Sequence, residues 1–382
     1  MKPQMVIDAR IVGPEMNGIS RYIRLMIQGL ARIRDNGGGL PYDPTILVRM
    51  GEWPESKTAF SGFPTHPIRA PFLDPAELWE VPAALRALRR SNAHAITTMY
   101  HSPSFCSLLS SPVPWLVTVH DLIHLRFGNL PQRLYYQYLL RPFVRGATAR
   151  VTISEFSRDE IARWAKVPSE SIEIVPIAIE PAFGSRVDPT IRNAALNDLG
   201  LSGMRYVFCL SNPKPHKNVY FLIDAYGEYR KRAKEKGEEP VSLVVNVPVP
   251  QERPGVFSRT SLTQPAIRAL ISGASAFAFP SLYEGFGMPP LEAAILGVPV
   301  IVSKIPPHRE AMHVFAPDEV VWADPNDAEE WIKALERTAR GEMPRPSPER
   351  SMRALSEFSV ERTGRSMDRI YRKVLRLPDS DV

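Results

Sequence analysis

Two doubly wound α/β domains built on parallel sheets are the architecture this sequence predicts, on three observations. Short apolar runs such as Met5-Val6-Ile7 and Trp115-Leu116-Val117 alternate with amphipathic stretches, the pattern of strands buried on both faces and joined by crossover helices. The 382 residues exceed what one hydrophobic core usually organises. The alternation also starts afresh, because residues 181–204 carry turn formers without strong periodicity and a second array opens at Arg205-Tyr206-Val207-Phe208-Cys209-Leu210. The expected division is an N-terminal Rossmann-like domain over 1–183, a second over 184–358 and a terminal helix over 359–382.

Composition narrows the class. With 44% hydrophobic and 23% charged residues the chain is globular, and it lacks the run of roughly eighteen apolar residues that spans a bilayer. Met1-Lys2-Pro3-Gln4-Met5 leads into a strand instead of a secretory signal, so the cytoplasm, or the inner face of a membrane, is the expected location. A net charge of +6 and a pI near 9.3 favour anionic partners. Those include nucleotides, an anionic bilayer and nucleic acid, but no module interleaving basic and aromatic residues points to nucleic acid. Cys106 and Cys209 lie far apart, without metal-ligand spacing and in apolar settings, and are assigned no chemistry.

In the first half, Met5-Val6-Ile7-Asp8 reads as the opening strand and Gly18 to Leu30 as an amphipathic helix. The loop between them holds Gly13 and Gly18, lacks a G-x-G-x-x-G fingerprint and by itself reads as an ordinary βα turn. From Pro41 to about Pro64 the chain is loop-rich around a strand Thr45-Ile46-Leu47-Val48, and Pro75 to Arg90 reads as a helix. Ile96 to Ser104 is a strand leading into a loop, which leaves His101 open to ligand contact or to a structural role. Trp115-Leu116-Val117-Thr118-Val119 stops at His120-Asp121. Ligands of open parallel sheets bind beyond the carboxyl ends of the strands, so His120 stands where chemistry is usually found. Leu134 to Arg145 is a helical stretch with three tyrosines and flanking arginines, suited to a bilayer interface as well as to a core helix with a basic rim. Arg150 to Ser154 is the next strand, a Ser154 or Ser157 cap opens a helix, and Ile172 to Val175 closes the sheet.

In the second half, the strand at Arg205 runs into the basic loop Ser211-Asn212-Pro213-Lys214-Pro215-His216-Lys217-Asn218 and a helix from Val219 to Arg232. After a strand Val241 to Val245, only about 28 residues precede the next one, and Pro248, Pro250 and Pro254 are expected to break any regular element there. The strand Ser275-Ala276-Phe277-Ala278-Phe279 then enters a strand-to-helix turn running from Pro280 to Glu292. Gly285 and Gly287 let that backbone turn and approach a ligand, and amides at the head of the following helix suit an anion. Glu284 and Glu292 flank the amides, placed to reach the two ends of an extended ligand. Beyond them come a strand within Gly297 to Ser303, Glu310 in a loop after Pro306-Pro307-His308-Arg309, a last strand at Val320, and helices over Ala328 to Arg340 and about Ser359 to Leu375.

The stretch Pro280-Ser281-Leu282-Tyr283-Glu284-Gly285-Phe286-Gly287-Met288-Pro289-Pro290-Leu291-Glu292 resembles the E-x7-E signature of the retaining GT-B glycosyltransferases of family 4. His216-Lys217-Asn218 resembles the Lys-Asn motif of that family, the segment around His120-Asp121 is similar to its His-Asp segment, and the resemblance runs from Asp8 to Tyr371. It implies a GT-B fold, two domains facing a cleft, with the C-terminal helix crossing back onto the first. It further implies that Glu284 faces the donor sugar hydroxyls, that Glu292 holds the ribose, and that the amides of Gly285, Phe286, Gly287 and Met288 meet sugar and diphosphate. His120 would contact the donor sugar, Asp121 orient its loop, and Lys217 neutralise the diphosphate, with Lys214 substituting for an arginine earlier in the loop. The loop from Asp8-Ala9-Arg10 to Gly18 would line the cleft, and Gly18 is carried over as donor-binding. The chain departs from the family at Pro176-Ile177-Ala178 in place of Pro-Asn-Gly, at Met312-His313-Val314-Phe315 in place of Gly-Asp-Ala, and in the short segment 246–273, where a further strand and a base-gripping loop are usual.

By this resemblance the protein is a retaining hexosyltransferase that needs neither metal nor cofactor. It would move a sugar, GDP-mannose being the favoured donor, to a polysaccharide or lipid-linked saccharide such as a lipopolysaccharide precursor, with peripheral membrane contact. Its rivals are a GT-B-shaped epimerase or phosphorylase, and a catalytically inactive scaffold binding a nucleotide sugar or a partner enzyme, which the short segment would suit.

Overall fold

The computed structural model describes residues 2–13, 18–37, 39–51, 60, 62–91 and 97–378. They form two compact units, Met1–Ala178 with Phe358–Val382, and Ile179–Glu357.

The first unit is a seven-stranded sheet, parallel at every pairing: β1 Gln4–Asp8, β2 Asp43–Arg49, β3 Thr65–Ile68, β4 Thr98–Ser102, β5 Trp115–Thr118, β6 Ala149–Thr152 and β7 Ile172–Ile174. The order is β3-β2-β1-β4-β5-β6-β7. The chain therefore walks outward from β1 and then returns to its other side, which opens a crevice beyond the carboxyl ends of β1 and β4. Both strands are buried at every residue, as strands covered on two faces must be. Helix Gly18–Asn36 lays Tyr22, Ile23, Met26 and Leu30 into the core and packs on the C-terminal helix Val360–Leu375. The two meet at a glycine pair, where a Cβ on Gly29 would stand 2.4 Å from the Val360 carbonyl oxygen and 2.7 Å from Gly364 Cα. Side chains lock the same junction, with Tyr42 donating to Asp368 (2.8 Å) and Thr363 donating to the Pro176 carbonyl (2.7 Å).

One reading of this half changes and one strand is added. Strand β3 lies just past the loop-rich stretch, where no element is expected, and the helix expected over Leu134 to Arg145 is a longer rod, Leu130–Tyr135, a π turn Tyr136–Leu140, and Arg141–Gly146. Pro142 has no N–H to give the carbonyl four residues back, and the wider turn just before it absorbs that break in the ladder. Ile96, residues 14–17 of the first loop, and 52–59 and 61 of the loop-rich stretch lie outside the described residues.

The second unit repeats the plan with six strands: β8 Tyr206–Cys209, β9 Ser242–Val245, β10 Val256–Ser258, β11 Ala276–Phe279, β12 Val300–Ser303 and β13 Val321–Ala323. All pairings are parallel, in the order β10-β9-β8-β11-β12-β13. Segment 246–273 is not without regular structure, since it holds β10 and helix Gln264–Gly273. The three prolines all precede β10, where no ladder N–H is needed; what is missing is a helix between β9 and β10. Residues 181–204 likewise contain a helix, Pro189–Asp198, capped by Asp188 and packed on Gln264–Gly273. The prolines before Glu310 start a short helix, Pro306–Ala311, in place of a loop.

Candidate active site

In the second unit the crevice lies between β8 and β11, so the loops following those strands are neighbours although far apart in the chain. The Leu282 N–H bonds the His216 carbonyl at 2.7 Å and ties one loop to the other. Asn246, at the end of β9, accepts from the Ser211 N–H. Asn218 adopts a left-handed conformation (φ 55°), which asparagine tolerates better than most residues, and donates to the Pro325 carbonyl at 2.8 Å. That turn aims Lys217.

The Lys217 ammonium donates to Glu284 Oε1 at 2.7 Å, and the same nitrogen lies 5.4 Å from the centre of the Phe279 ring. Burial pushes the Glu284 carboxyl up, but Lys217, His308 and Ser281 more than offset it and hold the group ionised, below its usual range. His308 is fully buried, donates through Nδ1 to the Ser303 carbonyl (3.0 Å), and leaves Nε2 with no hydrogen-bond partner among the described residues. Burial lowers its pKa to about 4, with Glu284 opposing, so the imidazole is neutral. A Cβ on Gly287 would stand 2.7 Å from His308 Cδ2, and Gly287 has φ 109°. Only glycine satisfies both conditions.

Gly287 precedes helix Met288–Ile295, in which Glu292 is buried. Pro289 and Pro290 carry no N–H, so Met288 and Leu291 alone can donate among the first four helical residues. An anion at this turn would have as backbone donors only Met288, Leu291 and the loop amides before the helix. Of the two glycines in the turn, Gly287 alone has positive φ. The two lysines of the loop after β8 are not equivalent. Lys217 is engaged through its side chain, whereas Lys214 is exposed and joins the turn through its backbone, its carbonyl accepting from the Lys217 N–H at 2.9 Å and its N–H donating to Asn212 Oδ1 at 3.1 Å.

In the first unit His120 follows β5 and is buried. Its Nε2–H donates to the Pro103 carbonyl at 3.0 Å and its ring meets Tyr22 edge-on, 4.8 Å between centres. Burial lowers the pKa to about 4, so Nδ1 carries a lone pair and is an acceptor for a hydroxyl, not a proton donor. Asp121 accepts from the Ile123 N–H (2.9 Å) and shapes that loop. His101, left open above, is structural, since Tyr371 (2.6 Å) and Thr118 (2.8 Å) occupy both ring nitrogens. Asp8 and Arg10, read as lining a cleft, are turned on each other at 2.7 Å, with Glu77 on the guanidinium (3.2 Å) and the Tyr100 hydroxyl on Asp8 (2.8 Å). Gly18 is the exposed first residue of its helix, and residues 14–17 just before it fall outside the described residues.

Comparison with known proteins bears on the family and the fold. Residues 16–183 match the family model described as Glycosyltransferase Family 4, and residues 257–353 match Glycosyl transferases group 1. The O-antigen chain mannosyltransferase RfbU of Salmonella typhimurium is 26% identical over 269 residues, 66% of this chain and 67% of its own. The serotype-specific mannosyltransferase WbdA of Escherichia coli is 26% identical over 63% of this chain, which spans 31% of that longer protein. A glycosyltransferase structure from Rickettsia africae superposes with a TM-score of 0.67 at 13% identity, covering 98% of this chain and 99% of that one. With the two models matched in chain order on two parallel-sheet units, the chain belongs to the family-4-like glycosyltransferases and has their GT-B fold.

Proposed function

We propose that the protein transfers mannose, with retention of configuration and without a metal, from GDP-mannose to a growing polysaccharide or lipid-linked saccharide at the inner face of a membrane. The observation that carries this reading is the Lys217–Glu284 ion pair at the β8/β11 crevice. It sets a cation for a diphosphate directly beside a carboxylate for sugar hydroxyls. Relatives named as mannosyltransferases of O-antigen chains support the choice of sugar.

In this reading the bond from the anomeric carbon to the diphosphate oxygen breaks as the acceptor hydroxyl forms its bond on the same face, and the acceptor proton passes to the leaving diphosphate. Lys217 and the amides up to Met288 meet the charge that develops there. Glu284 orients the sugar, Glu292 the ribose, and the neutral His120 accepts from a sugar hydroxyl through Nδ1. Because an ammonium has three donors, Lys217 can keep Glu284 while bonding a phosphate oxygen.

The test is to incubate the pure chain, with acceptor saccharides, against a panel of nucleotide sugars and follow release of free nucleotide diphosphate. GDP release from GDP-mannose above all other donors is expected. Release of UDP or ADP alone would overturn the donor, and tight binding with no release would make the protein an inactive scaffold.

A further inference from the structure

Single exposed apolar side chains are ordinary on a protein surface, but clusters are not. Among the described residues eleven large hydrophobic side chains are exposed, and five of them, Leu109, Phe127, Leu130, Leu134 and Tyr138, fall between residues 109 and 138 of the first unit. Leu130, Leu134 and Tyr138 are four residues apart along one helical rod and so stack on one face of it. They are 67%, 46% and 70% exposed. The rod is anchored and cannot simply fold this face away. A reciprocal capping box joins Asn129 and Gln132 at its start, and Tyr136 and Leu140 are buried on its opposite side. The Tyr135 hydroxyl donates to the Phe105 carbonyl (2.9 Å) and accepts from the Ser107 N–H (3.0 Å), which fixes the loop carrying Leu109 alongside.

The charge carried by the rod and its flanking loops has one sign. From residue 122 to 154 the chain has five arginines and no aspartate or glutamate. Arg126 is paired with Glu160, but among the described residues Arg133 bonds only the carbonyls of Gly128 and Arg126, and Arg145 is exposed beyond the π turn. A surface that sets leucine and tyrosine beside uncompensated guanidinium groups matches a bilayer of anionic lipid, where the apolar side chains enter the acyl boundary and the arginines reach the phosphates.

We propose that the rod Leu130–Gly146, with Phe127 and Leu109 beside it, is the surface by which this protein docks on an anionic phospholipid bilayer. The inference deepens the membrane part of the proposed function by naming the face that makes the contact. It rests on the exposed side chains and not on the transfer reaction, so each can fail without the other.

Co-sedimentation of the purified full chain with phosphatidylcholine vesicles, with and without phosphatidylglycerol, tests it in the absence of any nucleotide sugar. Binding is expected only to the anionic vesicles, weakening about tenfold or more for Arg133→Glu with Arg145→Glu, and on raising the salt. The triple variant Leu130→Ser, Leu134→Ser, Tyr138→Ser is expected to lose binding while keeping the parent's urea midpoint, since these side chains are already in water. Equal binding by parent and triple variant would overturn the proposal, as would no binding by the parent. Conversion of a parental dimer to monomer by the triple variant, without vesicle binding by either, would assign the face to a second copy of the chain instead.

Discussion

Lys217 stands between a structural partner and a chemical task, and the two make different predictions. Removing one member of a largely buried pair strands the other charge and destabilises the unit. If the ammonium also meets the departing diphosphate, its contact strengthens in the transition state. Lys217→Ala is then expected to lower turnover by about 100- to 1,000-fold while changing donor affinity much less. The double variant Lys217→Met with Glu284→Gln removes both charges, so it is expected to recover the urea midpoint without recovering turnover. Parental turnover in either variant would exclude the phosphate role. His101, His120 and His308 make a prediction of another kind. Burial lowers their pKa values from 6.5 to about 3, about 4 and about 4. They stay neutral in the folded chain where the unfolded chain would protonate them. The unfolded state thus binds more protons below the ordinary imidazole range, and stability present above pH 6.5 is lost as the pH falls towards 4. Each group contributes up to about 1.4 kcal/mol per pH unit in that window. Urea midpoints measured across it are expected to fall with pH, and His308→Leu is expected to flatten the slope; an unchanged slope would mean that His308 is already protonated in the fold.

At the scale of elements, close approach governs both ends of the argument. The helices Gly18–Asn36 and Val360–Leu375 touch backbone to backbone at Gly29 and Gly364, where a Cβ on Gly364 would lie 2.5 Å from the Gly29 carbonyl carbon. A neighbouring backbone cannot rotate away as a side chain can. Gly364→Ala is therefore expected to destabilise the chain by about 1–3 kcal/mol, the usual cost of overpacking, despite alanine's better helix propensity. Gain in the urea midpoint would show that the helices can separate freely. Gly287 is constrained in the same way, with the difference that its neighbour is the buried His308 ring. Gly287→Ala is expected to impair turnover. Trimming the ring in a second variant with His308→Ala restores space but not the φ of 109°, so recovery is expected to be partial when turnover is assayed.

For the whole molecule, the proposed chemistry draws its cation from Lys217, so turnover is expected to survive EDTA. Loss of activity restored by manganese or magnesium would count against it. How much of this was legible in the sequence depended on how local each signal was. Strands covered on both faces leave continuous apolar runs, and the run at Tyr206-Val207-Phe208-Cys209 announced a second parallel array without any coordinates. The turn from Pro280 to Glu292 was equally legible, because its strand, glycines, prolines and carboxylates are contiguous. The edge strands Thr65–Ile68 and Val256–Ser258 were not, since they are short and only partly buried and so carry no apolar run. Helix Pro189–Asp198 buries Leu196 alone and shows almost no periodicity. What tertiary structure alone decided are the partnerships across long stretches of chain: Lys217 with Glu284 over 67 residues, His101 with Tyr371 over 270, and His308 beneath Gly287. Periodicity reports which face of an element is buried, but the partner across that face is chosen by strand order and by where the crevice opens, and neither leaves a trace in neighbouring residues.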